Sequence, residues 1–214
     1  MNSEKKEILV DFKLYLITDR RLFTDDYALF TAVEEALKGG VQAVQLREKD
    51  LGIRALLHMA SSFRELTARY GAKLFVNDRV DVAVAVAADG VHLGGAGIPA
   101  FAARKAAGEG MLIGVSTHSV AEARKAEEEG ADFITLGPIF ETPSKMQYGK
   151  PLGPDLLRKV RDEIAIPVFA LGGITLERVG SVMESGASGV AVISAILGSE
   201  DIQSNTEAFM RLLK

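Results

Sequence analysis

Short apolar runs recur eight times along the chain, at residues 14–18, 41–47, 73–78, 90–94, 112–116, 133–138, 168–173 and 189–194. Amphipathic or alanine-rich stretches separate them. Runs of this length, nearly continuous in Val, Ile, Leu and Phe, are what strands buried on both faces require. The intervening segments carry helical spacing: Leu56, Leu57, Ala60, Phe63 and Leu66 repeat near 3.6 residues. The pattern predicts helices over 27–38, 53–70, 79–87, 100–107, 120–129, 154–163, 176–184 and 203–213. Asp25-Asp26, Ser119 (with Glu122 three residues on, a capping box) and Thr175 are the expected N-caps, and Pro154 the expected N1 residue. Eight βα units predict one (β/α)8 TIM barrel over residues 12–214, preceded by a loose tail at 1–11.

In such a barrel the chemistry sits where the strands end. Those ends carry most of this chain's polar residues of interest. Gln45, Arg47 and Lys49 share one side of the second strand by alternation, so two cations and an amide face the barrel mouth. That set suits a phosphate or pyrophosphate; the alternative is a solvated cluster paired with Glu48 and Asp50. Asn77 and Asp78 end the third strand, either as ligands for a metal or polar substrate or as caps for the next helix. Gly172-Gly173 and Ser194 end the last two strands, where barrels commonly hold phosphate on backbone N–H groups. His92 and His118 lie at strand ends, whereas His58 falls mid-helix. The long connection 140–153 contains Thr142, Ser144, Lys145 and Lys150, and its length points to a lid. Two anion sites at one mouth suggest an enzyme joining two phosphorylated substrates.

Composition narrows the field. At 214 residues the chain supports one sizeable core. A net charge of −4 gives no basic field for nucleic acid, and no apolar run reaches membrane-spanning length. The sequence has no cysteine, which removes disulfides and thiolate-bound metal. No HExxH, GxSxG or P-loop pattern occurs. The expected setting is the cytoplasm, with no nucleic-acid or membrane partner; a homodimer is allowed.

The segments LYLITD, GGVQAVQLREKD, VNDRVDVA, ADGVHLG, IGVSTHS, AEEEGADFITLGPIFETPSK, PVFALGGI and SGASGVAVISAI together resemble the thiamin phosphate synthase family over essentially the whole chain. The resemblance implies a (β/α)8 transferase that joins hydroxymethylpyrimidine pyrophosphate to thiazole phosphate, with Mg2+. By the same resemblance Gln45, Arg47, Lys49 and Asn77 hold the pyrimidine pyrophosphate, and Ser116 lies at the pyrimidine. Asp78 is a magnesium ligand, and Thr142 and Ser144 lie beside the thiazole phosphate. Lys145 grips the departing pyrophosphate, and Gly173, Ile193 and Ser194 form the thiazole-phosphate site. Lys145, Arg47 and Ser116 are the expected catalytic set. One position departs: the family's second magnesium aspartate is replaced by Gly97, in Gly94-Gly95-Ala96-Gly97. Magnesium is then expected to bind only with the pyrophosphate substrate. A sister family, the metal-independent thiazole tautomerase, is the alternative, with His118 as its catalytic residue. A degenerate thiazole- or thiamin-phosphate-binding barrel is the non-enzymatic alternative.

Overall fold

The computed structural model describes residues 10–142 and 150–214. Eight parallel strands close in sequence order: β1 (Leu14–Ile17), β2 (Ala43–Leu46), β3 (Lys73–Asn77), β4 (Gly90–Leu93), β5 (Leu112–Thr117), β6 (Phe133–Leu136), β7 (Val168–Leu171) and β8 (Gly189–Val192). Around them run α1 (Asp26–Lys38), α2 (Ile53–Arg69), α3 (Val80–Ala85), α4 (Ala100–Ala107), α5 (Val120–Glu128), α6 (Pro154–Arg161), α7 (Leu176–Glu184), α8 (Ser194–Leu197) and α9 (Ile202–Leu212). Every expected strand and helix is present. The single-turn α8 was not expected, because four residues leave no periodicity to read. Among the described residues no helix is long and apolar enough to cross a membrane.

The caps explain several helix starts and correct others. The Asp25 side chain accepts from Ala28 N, and Ser119 accepts from Glu122 N. The expected capping box is not reciprocal: Glu122 takes the His118 N–H instead of that of Ser119. Thr175 occupies the cap position of α7 but makes no side-chain cap bond.

Strand alternation splits the interior into two cores. Leu14, Leu16, Val44, Leu46, Leu74, Val76 and Val91 point outward under the helices. Tyr15, Ile17, Ala43, Phe75, Phe133, Phe169 and Ala191 fill the lumen. Its lower half is closed by pairing a large residue with a small one on the adjacent strand. The registered pairs are Tyr15 with Ala43, Phe75 with Gly90, Phe133 with Gly114 and Phe169 with Gly189. A β-carbon on Gly114 would stand 2.4 Å from the Phe133 ring. Phe12 plugs the bottom, with its ring 5.0–5.7 Å from those of Tyr15, Phe75, Phe133 and Phe169. The expected loose tail therefore ends sooner than residue 11: Val10 packs on the lumen cluster and Asp11 pairs with Lys73 at 3.1 Å. Residues 1–9 lie outside the described residues. With its floor filled by aromatic rings, the barrel can receive a ligand only from the top.

A four-fold repeat fixes the height of that floor. Each even-numbered strand is preceded by a residue with positive φ, an apolar residue and a hydrogen-bond acceptor. These are Gly40-Val41-Gln42, Ala87-Ala88-Asp89, Gly130-Ala131-Asp132 and Gly186-Ala187-Ser188, with φ of 101, 51, 86 and 95° at the first position. The left-handed residue turns the chain from helix into strand. The acceptor then takes a backbone N–H at the start of the preceding strand. Gln42 binds Lys13 N at 3.0 Å, Asp89 binds Leu74 N at 2.7 Å, Asp132 binds Ile113 N at 2.6 Å and Ser188 binds Val168 N at 3.1 Å. Arg64 and Arg104 pair with the two aspartates. Three residues beyond each acceptor stand Gln45, His92, Thr135 and Ala191. The repeat thus delivers three polar side chains and one methyl group to equivalent positions in the upper lumen.

Candidate active site

Above the aromatic floor lies a connected polar layer. Gln45 Nε2 donates to the Tyr15 hydroxyl at 3.1 Å, and that hydroxyl lies 3.4 Å from His92 Nδ1. His92 Nε2 lies 3.0 Å from Ser116 Oγ, with Thr135 Oγ1 3.4 Å away from the same nitrogen. Tyr15, Gln45, His92 and Thr135 are all buried, whereas Ser116 is half-buried and opens toward the mouth. Burial, helped by the nearby Arg47 charge, pushes the His92 pKa down to about 3, so the ring is neutral at ordinary pH. Burial likewise holds the Tyr15 phenol above its usual range. Sequence alone brought forward Gln45 and Ser116, but not Tyr15 or Thr135. The signal available was their position: both are polar side chains on inward-facing strand sites, Thr135 at the same offset from Asp132 as His92 from Asp89.

From Gln45 the second strand climbs out of the lumen. Gln45 is buried, Arg47 half-buried and Lys49 exposed. The alternative of pairing with Glu48 and Asp50 does not hold. Glu48 turns toward β1, accepting from the Thr18 hydroxyl at 2.5 Å and Arg20 N at 3.0 Å, and Asp50 pairs with Arg20 at 3.0 Å. Burial raises the Glu48 pKa against those two hydrogen bonds. Thr18 Oγ1 also accepts from Arg47 N at 3.0 Å, which anchors the arginine backbone. Among the described residues neither Arg47 nor Lys49 forms an ion pair, so both charges are available to a ligand.

Asn77 and Asp78 sit beside them at the end of β3. They are not helix caps: the cap position of α3 is Arg79, which makes no side-chain cap bond. Asp78 has φ of 58°, and its Oδ1 accepts from Gly94 N at 2.7 Å while Oδ2 accepts from Asn77 Nδ2 at 2.8 Å. A left-handed conformation is costly for a residue with a β-carbon, and the two hydrogen bonds offset it. They also tie the loop after β4 to the end of β3. A β-carbon at Gly97 would stand 3.0 Å from Asp78 Oδ1, so position 97 does face this carboxylate. Between β2, β3 and α2 lies a cavity of about 270 Å3, lined in part by Lys49, Asn77 and Asp78. Among the described residues there is no cluster of three or more His, Cys, Asp or Glu able to hold a metal.

Among the described residues, the far side of the mouth carries few polar side chains. Gly172 and Gly173 have φ of 95 and 64°, and the β6 loop lies directly against them. Phe140 N donates to Gly172 O at 3.0 Å, and a β-carbon on Gly173 would come within 2.5 Å of Glu141 O. Arg178 clamps the pair, donating to Gly173 O at 2.6 Å with its guanidinium 4.6 Å above the Phe140 ring. Ile193 leads into α8, whose first residue, Ser194, is exposed. Thr142 is half-buried near the end of the described β6 loop. Ser144 and Lys145 lie outside the described residues. His118 is exposed, its Nδ1 3.1 Å from Glu122, and His58 is exposed on α2.

A family model described as thiamine monophosphate synthase matches residues 14–196. A putative thiamine-phosphate synthase of Geobacter sulfurreducens is 53% identical over 204 residues, spanning 95% of each chain. A thiamine-phosphate synthase of Halalkalibacterium halodurans is 44% identical over 204 residues, spanning 95% of this chain and 96% of its own. Among solved structures, a thiamine phosphate pyrophosphorylase from Pyrococcus furiosus superposes with a TM-score of 0.86 at 40% identity, covering 94% of this chain and 95% of its own.

Proposed function

The chain belongs to the thiamine monophosphate synthase family, and from that premise we infer that it is a transferase joining hydroxymethylpyrimidine pyrophosphate to thiazole phosphate, with release of pyrophosphate. The observation that carries this reading to the site is the pair of cations, Arg47 and Lys49, that have no ion-pair partner among the described residues and stand directly above a neutral, hydrogen-bonding lumen. A charged pyrophosphate has partners at the rim, and an uncharged aromatic ring has partners below.

In this reading the pyrimidine ring rests against Gln45 and Ser116, and its pyrophosphate lies on Arg47, Lys49 and Asn77. By the family resemblance Lys145 contacts the leaving pyrophosphate, and Thr142 and Ser144 the thiazole phosphate. Gly173, Ile193 and Ser194 receive that phosphate on backbone N–H groups, as glycine-lined strand ends do in barrels. The C–O bond of the pyrimidine methylene breaks with both electrons leaving on pyrophosphate. The ring amino group stabilises the resulting cation, and the thiazole nitrogen forms the new C–N bond. No protein nucleophile is required; the protein contributes positioning and charge stabilisation.

Asp78 suits a magnesium ion held mainly by substrate phosphate. Magnesium needs only one or two carboxylates and retains water, and each Asp78 oxygen, with one hydrogen bond accepted, keeps a lone pair. When bound, magnesium would neutralise charge on the departing pyrophosphate. A single carboxylate gives the ligand-free protein little reason to retain the ion. Among the described residues nothing favours the tautomerase reading, since the His118 ring pairs with Glu122 rather than with the lumen network.

Incubation with both substrates and magnesium tests the assignment directly. The expected product is thiamin phosphate. Trapping a covalent enzyme–pyrimidine adduct on the path would overturn the mechanism. Tautomerisation of a thiazole carboxylate phosphate in chelator, without thiamin phosphate, would overturn the function.

A further inference from the structure

Val44 and Leu46 of β2 point outward under the helices, and by alternation Glu48 is next in that row. Such a position calls for an apolar residue. Glu48 is instead a carboxylate with 5% of its surface exposed, and among the described residues it has no ion-pair partner. Burying an unpaired carboxylate costs stability, so its presence asks what it holds. Its Oε1 accepts from the Thr18 hydroxyl at 2.5 Å, and its Oε2 from Arg20 N at 3.0 Å. Thr18 is fully buried and follows Leu14 and Leu16 on the outward side of β1. Its single proton goes to Glu48, so its oxygen is left to accept from Arg47 N at 3.0 Å. Thr18 N already donates to Gln45 O at 2.9 Å. A regular parallel ladder would send the Arg47 N–H to the Thr18 carbonyl next. The Thr18 hydroxyl takes that place, and β2 leaves the ladder at Arg47. From there the Arg47 charge lies near enough to the lumen to help depress the His92 pKa.

We propose that Glu48 and Thr18 are positioning residues for Arg47: the buried carboxylate fixes the Thr18 hydroxyl as an acceptor, and that hydroxyl fixes the backbone from which the guanidinium reaches a pyrophosphate. Glu48 does this from the outward side of β2, where it forms no ion pair with Arg47. A carboxylate on the lumen side would pair with the guanidinium and compete with the anion. The other nearby carboxylates are engaged elsewhere, Asp19 with Arg21 at 2.7 Å and Asp50 with Arg20 at 3.0 Å. The proposal rests on the reading that places a pyrophosphate on Arg47. Glu48 and Thr18 act through that residue, and neither touches substrate.

Calorimetric titration with inorganic pyrophosphate, in magnesium, reads the rim without turnover. Thr18→Val keeps the shape and removes the hydroxyl, and should weaken binding about tenfold, the scale of one hydrogen bond. Thr18→Ser should restore it. Glu48→Gln offers one acceptor to two donors and should weaken binding about threefold; it carries the test if Thr18→Val does not fold. Arg47→Ala should weaken binding at least as much as Thr18→Val. Thr18→Val added to Arg47→Ala should then cause no further loss, because no guanidinium remains to be aimed. A merely structural role would give the same loss in both backgrounds. Wild-type affinity in folded Thr18→Val or Glu48→Gln overturns the proposal, as does an equal loss with Arg47 absent. Pyrophosphate binding indifferent to Arg47→Ala overturns the reading beneath it. If binding follows these expectations while no thiamin phosphate is made, the assigned reaction fails and the positioning role stands.

Discussion

On the β2–β4 side of the mouth, Gln45, Arg47, Lys49, Asn77 and Asp78 present amide, cation and carboxylate side chains. On the β7–β8 side the matching positions are Leu171, Ala191 and Ile193, which pack on the lumen cluster, and the strand ends are Gly172, Gly173 and Ser194. The first side is built from long polar side chains held at their base, as Thr18 holds the Arg47 backbone. Among the described residues the second is built mainly from backbone, with the β6 loop laid so close to Gly173 that no side chain fits at that position. A side-chain site is disabled by subtraction and a backbone site by addition. The two sides should therefore respond to opposite kinds of substitution.

The largest effect is expected at Lys145. Lys145→Ala should lower kcat by on the order of 10²-fold or more, the scale for one preorganised charge donor at a developing charge. Single-turnover rates provide the check, and a wild-type rate would remove Lys145 from the leaving group. Next, Arg47→Ala should raise KM for the pyrimidine pyrophosphate by about 10- to 10²-fold, the value of a charged hydrogen bond, with little change for thiazole phosphate. Arg47→Lys should recover only part, because lysine lacks the planar fork. Equal losses for both substrates would mean that the two sides are not separate.

Gly173→Ala tests the other side by addition. Its β-carbon would meet Glu141 O at 2.5 Å, on a backbone with φ of 64°. The expected outcome is a roughly tenfold higher KM for thiazole phosphate, an unmoved KM for the pyrimidine substrate, and a loss of about 2 kcal/mol in denaturant unfolding from strain and overlap. The smallest effect concerns the missing carboxylate. Gly97→Asp places a second carboxylate beside Asp78, 3.0 Å from its Oδ1 at the β-carbon, so the loop must give slightly. Magnesium alone should then raise the melting temperature of the variant but not that of the wild type, since only a bound ion stabilises. A magnesium-induced shift in the wild type would show that Asp78 binds the ion without help.

Much of this architecture was legible in local pattern. Each strand lies under its apolar run because a doubly buried strand takes mostly apolar side chains, with polar ones only where the lumen network pairs them, and the helices follow their 3.6 spacing. The rim residues Arg47, Lys49, Asn77 and Asp78 were legible as chemistry because they follow directly on such runs. Other features needed neighbours distant in sequence. Glu48 reads as a partner for adjacent cations until β1 brings Thr18 and Arg20 N to it. Asp78 reads as a helix cap until β4 brings Gly94 N.

By itself the sequence determined the eight βα units, their order, and which side of each strand faces the lumen, because periodicity and caps act within a few residues. Only the tertiary structure decided that Tyr15, Gln45, His92, Ser116 and Thr135 form one hydrogen-bonded layer, and that Phe12 closes the floor beneath it. Those contacts join residues up to 157 positions apart, as Phe12 and Phe169 are, Ser116 and Thr135 being neighbours only through the β5–β6 register and Tyr15 reaching Phe133 only across the lumen. Their existence depends on closure of the barrel at one stagger, a property that no single strand carries.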